Sequence, residues 1–151
     1  MPTIRHDTPT GPLWLSEEDG ALTGTSWRAR PETGTTALLA EATAQLDAYF
    51  AAERQDFDLP LRVQASALTT CVCTLMRAIP FGQTRTYGDL AKELGVPAQA
   101  VGQACGANPI PIIIPCHRVL GANSLGGFSG EGGVETKVQL LRLEGAASLL
   151  I

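Results

Sequence analysis

"TYGDLAKELGVPAQAVGQACGANPIPIIIPCHRVLG", Thr86 to Gly121, is the stretch on which the fold turns. Thr86 is placed to cap a helix over "YGDLAKEL", and Gly95 to end it. Pro97 suits the opening of a second helix, "PAQAVGQACG", after a turn of about three residues. Two short helices so joined are either a helix-turn-helix or a plain helical hairpin in a core. The run "IPIIIP" that follows is too short for a helix and too apolar for a sheet edge. It is a buried extended segment or a buried loop. It ends at Cys116 and His117. A thiol reacts as thiolate, and a free cysteine, with a pKa of ~8.5, is mostly protonated at neutral pH. It needs a base nearby, and the base needs a third group to fix its tautomer. A neighbour in an extended chain points the opposite way, so His117 reaches the thiol only if the backbone turns or a water bridges them. The alternative is a buried, inert cysteine beside a hydrogen-bonded histidine and a surface Arg118.

Working outward, "ALTTCVCTLMRAIP" places Leu68, Val72, Leu75, Met76 and Ile79 on one helical face, with Pro80 as a stop. Cys71 and Cys73 then belong to a packed helix, as core or boundary thiols. Upstream, Leu13 and Leu15 alternate with their neighbours, Glu17–Gly20 signals a turn, and "ALTGTSW" returns as a second strand. Leu39, Ala42, Leu46, Tyr49 and Phe50 fall at helical spacing behind a cap at Thr35 or Thr36. Downstream, "GANSLGGFSGEGGVE" is glycine-rich without a phosphate-loop ending, which suits a loop over a site. "ETKVQLLRLEG" closes as a helix. Glu144 lies at its C-terminal end, where the dipole disfavours a carboxylate, and a histidine partner would answer that. Asn108 is placed to brace the turn before Cys116 through side chain-to-backbone hydrogen bonds. The expected fold class is α/β (α+β). A small N-terminal antiparallel sheet with a helix occupies residues 1–62, and a mostly helical C-terminal unit with a winged helix-turn-helix occupies 63–151.

Bulk properties limit the function classes. The chain has 151 residues, four cysteines and a net charge of −4. No stretch reaches the ~18 apolar residues of a membrane span, and no apolar signal core opens the chain. A soluble cytoplasmic protein is expected. Cys71 and Cys73 face no second metal-type pair, so no metal site is expected. Residues 1–60 hold four Lys/Arg against ten Asp/Glu, and the remainder holds seven against five. A polyanionic partner therefore belongs to the second part of the chain.

The residues around Cys116 resemble those of the O6-alkylguanine-DNA alkyltransferases (methylated-DNA–protein-cysteine methyltransferases). "NPIPIIIPCHRVLG" looks like the family's active-site signature, "IPFGQTRTYGDLAKELG" like its first DNA-binding helix, and Lys137–Gly145 like its closing helix. The likeness spans roughly residues 11–146. It implies that Cys116 accepts the alkyl group, His117 acts as base through a water, Glu144 orients it and Asn108 holds the turn. It implies that Tyr87 helps rotate the base out and protonates the leaving guanine. Thr86, Pro97, Ala98, Gln99, Ala100, Gly102 and Arg118 would meet DNA. The carbonyls of Cys116 and Val119, with Phe128 and Ser129, would bind the guanine. The partner would be alkylated duplex DNA, entered from the minor groove with the guanine flipped out. The protein would act as a monomer, once per molecule and with no dissociable cofactor.

Two departures stand out. The recognition helix reads "P-A-Q-A-V-G", two residues shorter than is usual in the family. Gln99 occupies the place of the arginine that fills the space left by the extruded base. Cys73 stands where tryptophan is usual. Two rivals follow: an alkyltransferase-like protein that binds lesions with weak or no transfer, and a cysteine hydrolase or thiol redox enzyme on another fold.

Overall fold

The computed structural model describes residues 1–128 and 132–146. Strands β1 (Thr3–Thr8), β2 (Gly11–Glu18) and β3 (Ala21–Ser26) form an antiparallel meander in that order. Asp19 and Gly20 both have positive φ, 50° and 79°. That is the backbone a two-residue hairpin turn demands, and Asp-Gly is a pair that supplies it cheaply. Strand β1 was not anticipated. Its only large apolar residue is Ile4, so it carries no hydrophobic alternation, yet it pairs with β2 from Thr3↔Ser16 to Thr8↔Gly11.

Helix α1 (Ala37–Phe50) is capped by Thr36, whose hydroxyl accepts from Leu39 N. Its inward residues Leu39, Ala42, Leu46 and Tyr49 meet Leu13, Leu15 and Leu22 of the sheet, all fully buried. Each aliphatic side chain so buried stabilises by about 1.5–3 kcal/mol. Helix α2 (Ala67–Arg77) is capped by Ser66 and buries Val72, Cys73 and Met76, while Cys71 is exposed.

The helix pair is α3 (Tyr87–Leu94) and α4 (Ala98–Gly106). Thr86 and Asp89 form a full capping box on α3, and Gly95 ends it in the left-handed region. Preceding α3, β4 (Arg85–Thr86) pairs in parallel with β5 (Val119–Leu120), so this two-residue ladder ties the helix pair to the Cys116 segment. Helix α5 (Val134–Glu144) closes the described structure and buries Lys137, Leu140, Leu141 and Glu144. The buried apolar residues, from Leu13 to Leu140, form one contiguous cluster.

"IPIIIP" is a buried loop. Ile110, Ile112, Ile113 and Ile114 are all buried, and Ile112 adopts φ of 73°. Positive φ is costly for a β-branched residue, so surrounding bonds must hold it there. Asn108 holds it from within: Nδ2 donates to Ile114 O at 2.9 Å, and Oδ1 accepts from Ile110 N at 3.0 Å. Strand β3 holds it from outside, through Thr25 N to Pro109 O at 3.1 Å and Thr25 Oγ1 to Pro111 O at 2.8 Å.

Candidate active site

The braced loop delivers the chain into a single 3-10 turn, Cys116–Arg118. That turn answers the geometric difficulty of adjacent residues: the backbone does bend between Cys116 and His117. Cys116 forms part of the floor of an open cleft of about 680 Å³, walled by Tyr87, Gly127 and Phe128 and by the outer residues of α4. The thiol is buried, and burial pushes its pKa up. The Asn108 side chain and the Lys137 ammonium pull it part of the way back. The resting group is a thiol and needs a base.

His117 is fully buried and shares a 2.7 Å hydrogen bond between Nε2 and Glu144 Oε2. Burial holds its pKa below the ordinary value despite the carboxylate. Glu144 accepts four bonds in all: His117 Nε2, Tyr49 Oη at 2.6 Å, Arg118 Nε at 2.8 Å and Arg118 Nη2 at 2.9 Å. These donors outweigh desolvation and hold its pKa down, to about 2. An ionised carboxylate only accepts, so the proton of the neutral imidazole sits on Nε2. Nδ1 is left as an acceptor. It is buried and has no protein partner among the described residues. This is the tautomer a general base requires.

Lys137 is also fully buried. Its ammonium donates to Val119 O at 2.6 Å and Gly127 O at 3.0 Å, and lies 3.5 Å from Tyr87 Oη. Desolvation brings its pKa down to about 8. Tyr87, the first residue of α3, is raised by burial. Gly126 has φ of 72°, and a Cβ there would fall 2.6 Å from Tyr87 Oη, so only glycine lets the loop cross that ring.

Two family models match the chain. The ribonuclease-like domain of 6-O-methylguanine DNA methyltransferase matches residues 4–63, and its DNA binding domain matches residues 67–146. The chain belongs to the 6-O-methylguanine DNA methyltransferase family. It is 40% identical to a methylated-DNA–protein-cysteine methyltransferase of Mycolicibacterium paratuberculosis, over 91% of this chain and 88% of that one. It is 38% identical to the protein of the same name from Methanosarcina acetivorans, over 93% and 96%. Among solved structures, Mycobacterium tuberculosis OGT in complex with DNA matches with a TM-score of 0.86 and 39% identity, covering 96% of this chain and 93% of that one.

Within this family member, Cys116, His117, Glu144, Asn108 and Tyr87 come together as described. Ala98, Gln99 and Gly102 line the cleft beside Gln103 and Gly106, and Phe128 closes it while stacking edge-on against Trp27 at 5.8 Å. Pro97 is the exposed N-cap of α4. Thr86 and Ala100 are half-buried and do not line the cleft, and the Thr86 hydroxyl is engaged in its cap. The carbonyls of Cys116 and Val119 already accept Val119 N and Lys137 Nζ, each keeping a second lone pair. Ser129 lies outside the described residues.

Arg118 requires a correction. As a DNA contact it would be exposed, but its side chain is 8% exposed and its guanidinium is spent inside the protein. Two of its nitrogens bond Glu144, and Nη1 donates to Ile79 O at 2.7 Å. The positive balance of the second part of the chain is thus misleading, because Arg118 and Lys137 are both internal. Tyr49 and Lys137 were not assigned roles from sequence. Lys137 lies seven residues before Glu144, on the same face of α5, and that spacing was the available signal. Tyr49 gave none beyond being an inward residue of α1. Cys73, in place of a tryptophan, brings a second thiol 3.8 Å from Asn108 Oδ1; burial takes its pKa up to about 11.

Proposed function

We propose that the protein repairs DNA by direct reversal, transferring a methyl or larger alkyl group from O6 of guanine to Cys116. The observation that carries this reading is Cys116 at the foot of a cleft walled by the helix pair, followed within one 3-10 turn by His117, whose Nε2 is hydrogen-bonded to Glu144 and whose Nδ1 has no protein partner among the described residues. His117 Nδ1 takes the thiol proton through a bridging water, and Glu144 stabilises the imidazolium that forms. The thiolate sulfur attacks the alkyl carbon. A C–S bond forms, the C–O6 bond breaks, and its electron pair leaves with the guanine. Tyr87 supplies a proton to that leaving group, with Lys137 beside it. The product thioether is stable, so each molecule acts once, with no dissociable cofactor.

The guanine must leave the duplex to reach a buried sulfur. In this reading α4 enters the minor groove with Pro97, Ala98, Gln99 and Gly102 against DNA, and Gln99 occupies the space of the extruded base. Phe128, Ser129 and the second lone pairs of the Cys116 and Val119 carbonyls hold the guanine. The protein works as a cytoplasmic monomer. Residues 1–62 serve as a structural unit and 63–151 as the DNA-binding and acceptor unit. Gln99, uncharged and shorter than arginine, favours a second reading in which lesion binding outweighs transfer. Equimolar protein and a duplex carrying O6-methylguanine, followed by intact mass and peptide mapping, separates the two. A gain of one methyl group on Cys116 is expected. Lesion binding without methylated protein after long incubation refutes transfer.

A further inference from the structure

Tyr49 belongs to α1, 95 residues before Glu144, yet the two share a 2.6 Å hydrogen bond. The tyrosine is fully buried, and its ring is gripped by Phe50, Phe57 and Phe81 at centroid distances of 5.2, 5.4 and 6.2 Å. The hydroxyl therefore has little freedom. A tyrosine needed for packing alone could be phenylalanine, which would avoid burying a hydroxyl. Here the hydroxyl meets Oε2, the same oxygen that holds His117. Arg118 grips the carboxylate through both oxygens, and Tyr49 adds a donor from the other half of the chain.

We propose that Tyr49 is a positioning residue for the transfer reaction, its hydroxyl fixing Oε2 of Glu144 so that His117 keeps its proton on Nε2 and offers Nδ1 to the thiol. This rests on the alkyl-transfer reading above. The electrostatic consequence has a definite sign. Tyr49 draws on the lone pairs of Oε2. Without it the carboxylate is more basic and stabilises imidazolium more strongly, so the His117 pKa rises. A larger fraction of His117 is then protonated and useless as a base. Among the described residues, the charged and titratable groups that act on the His117–Glu144 pair are Tyr49 from α1, Arg118 from the 3-10 turn and Lys137 from α5. Arg118 and Lys137 oppose protonation of His117. Neither is altered by a change at Tyr49.

Tyr49→Phe keeps the ring and removes the hydroxyl. Single-turnover methyl transfer at saturating DNA, measured on the acid limb of the pH–rate profile, is expected to slow roughly 3–10-fold, the most that a one-unit rise in the pKa of the base produces, with lesion affinity unchanged. The acid limb of the pH–rate profile, and the His117 titration followed by ¹⁵N NMR of the imidazole in free protein, are both expected to rise by about one unit, the size of effect one hydrogen bond to a carboxylate produces. Leu46→Ala on the same helix is the control for general loosening. Equal slowing in that variant overturns the proposal, as does a folded Tyr49→Phe with the parent's rate and titration. Should Tyr49→Phe not fold, Phe57→Leu, which frees the Tyr49 ring, takes its place under the same two criteria. The NMR titration needs no substrate. Failure of the parent to accept a methyl group would refute the transfer reading, whereas an unmoved His117 titration would refute the role of Tyr49.

Discussion

Replacing Arg118 by methionine separates a buried structural arginine from a DNA contact. The guanidinium makes three hydrogen bonds, at 2.8 and 2.9 Å to Glu144 and 2.7 Å to Ile79 O, and lies 5.8 Å from the centroid of the Phe81 ring. Methionine restores part of the aliphatic volume and none of the donors. Glu144, whose side chain is wholly inaccessible, is left with His117 and Tyr49 alone. Removing one partner of a buried ion pair costs ~3–5 kcal/mol, because the surviving charge is stranded. For a chain of this size each kcal/mol moves the melting temperature by about 2–4 °C, so a fall of roughly 6–20 °C is expected. Urea unfolding gives the free energy directly. The DNA affinity of the variant, measured below its melting temperature across a salt series, should keep the parent's salt dependence. A variant as stable as the parent, but with a salt slope reduced by about one, would refute the reasoning. That is the signature of a lost phosphate contact.

Three further outcomes follow from the same network. The folded pKa of His117 lies below its ordinary value, and that of Glu144 is held at about 2, from 4.5. Stability from each is fully present above its unfolded pKa and lost as pH falls. Melting temperature should therefore drop below about pH 6.5 and more steeply below about 4.5, and Glu144→Gln should flatten the lower part; a profile level from pH 7 to 3 would count against both groups. Gly126→Ala forces a Cβ against Tyr87 at positive φ, so transfer should slow at least tenfold and the melting temperature should fall by roughly 2–12 °C, from about 1–3 kcal/mol of local strain. Parent-like transfer would show that the loop does not hold Tyr87. Gln99→Arg restores a cation to the cleft wall, and tighter lesion binding with faster transfer is expected; no gain in either would show that the glutamine limits nothing.

Those parts of the fold that depend on local signals were readable. Thr36 and Thr86 cap their helices as expected, Gly95 ends α3, and the hairpin turn falls at Asp19–Gly20. Strand β1 was not readable, because its partner supplies its stability and its own residues are polar. The site was half legible. Cys116, His117, Glu144 and Asn108 are marked by a dense local pattern. Arg118 looks identical in sequence whether it points to DNA or to Glu144, and only the path of the 3-10 turn decides. Tyr49 could not be found because its partner is far along the chain, and no spacing rule links helices α1 and α5.

The burial of Cys116 has a consequence for chemical selectivity in the cell. In the transfer reading proposed above, the acceptor sulfur is used once and is wasted by any stray electrophile that reaches it. The fold keeps Cys116 protonated at rest by shielding it from solvent, and His117, the next residue in the chain, is equally withdrawn. The surface-exposed Cys71 has no such shelter. General alkylating or oxidising agents are therefore expected to modify Cys71 before Cys116, which peptide mapping after limited treatment would check.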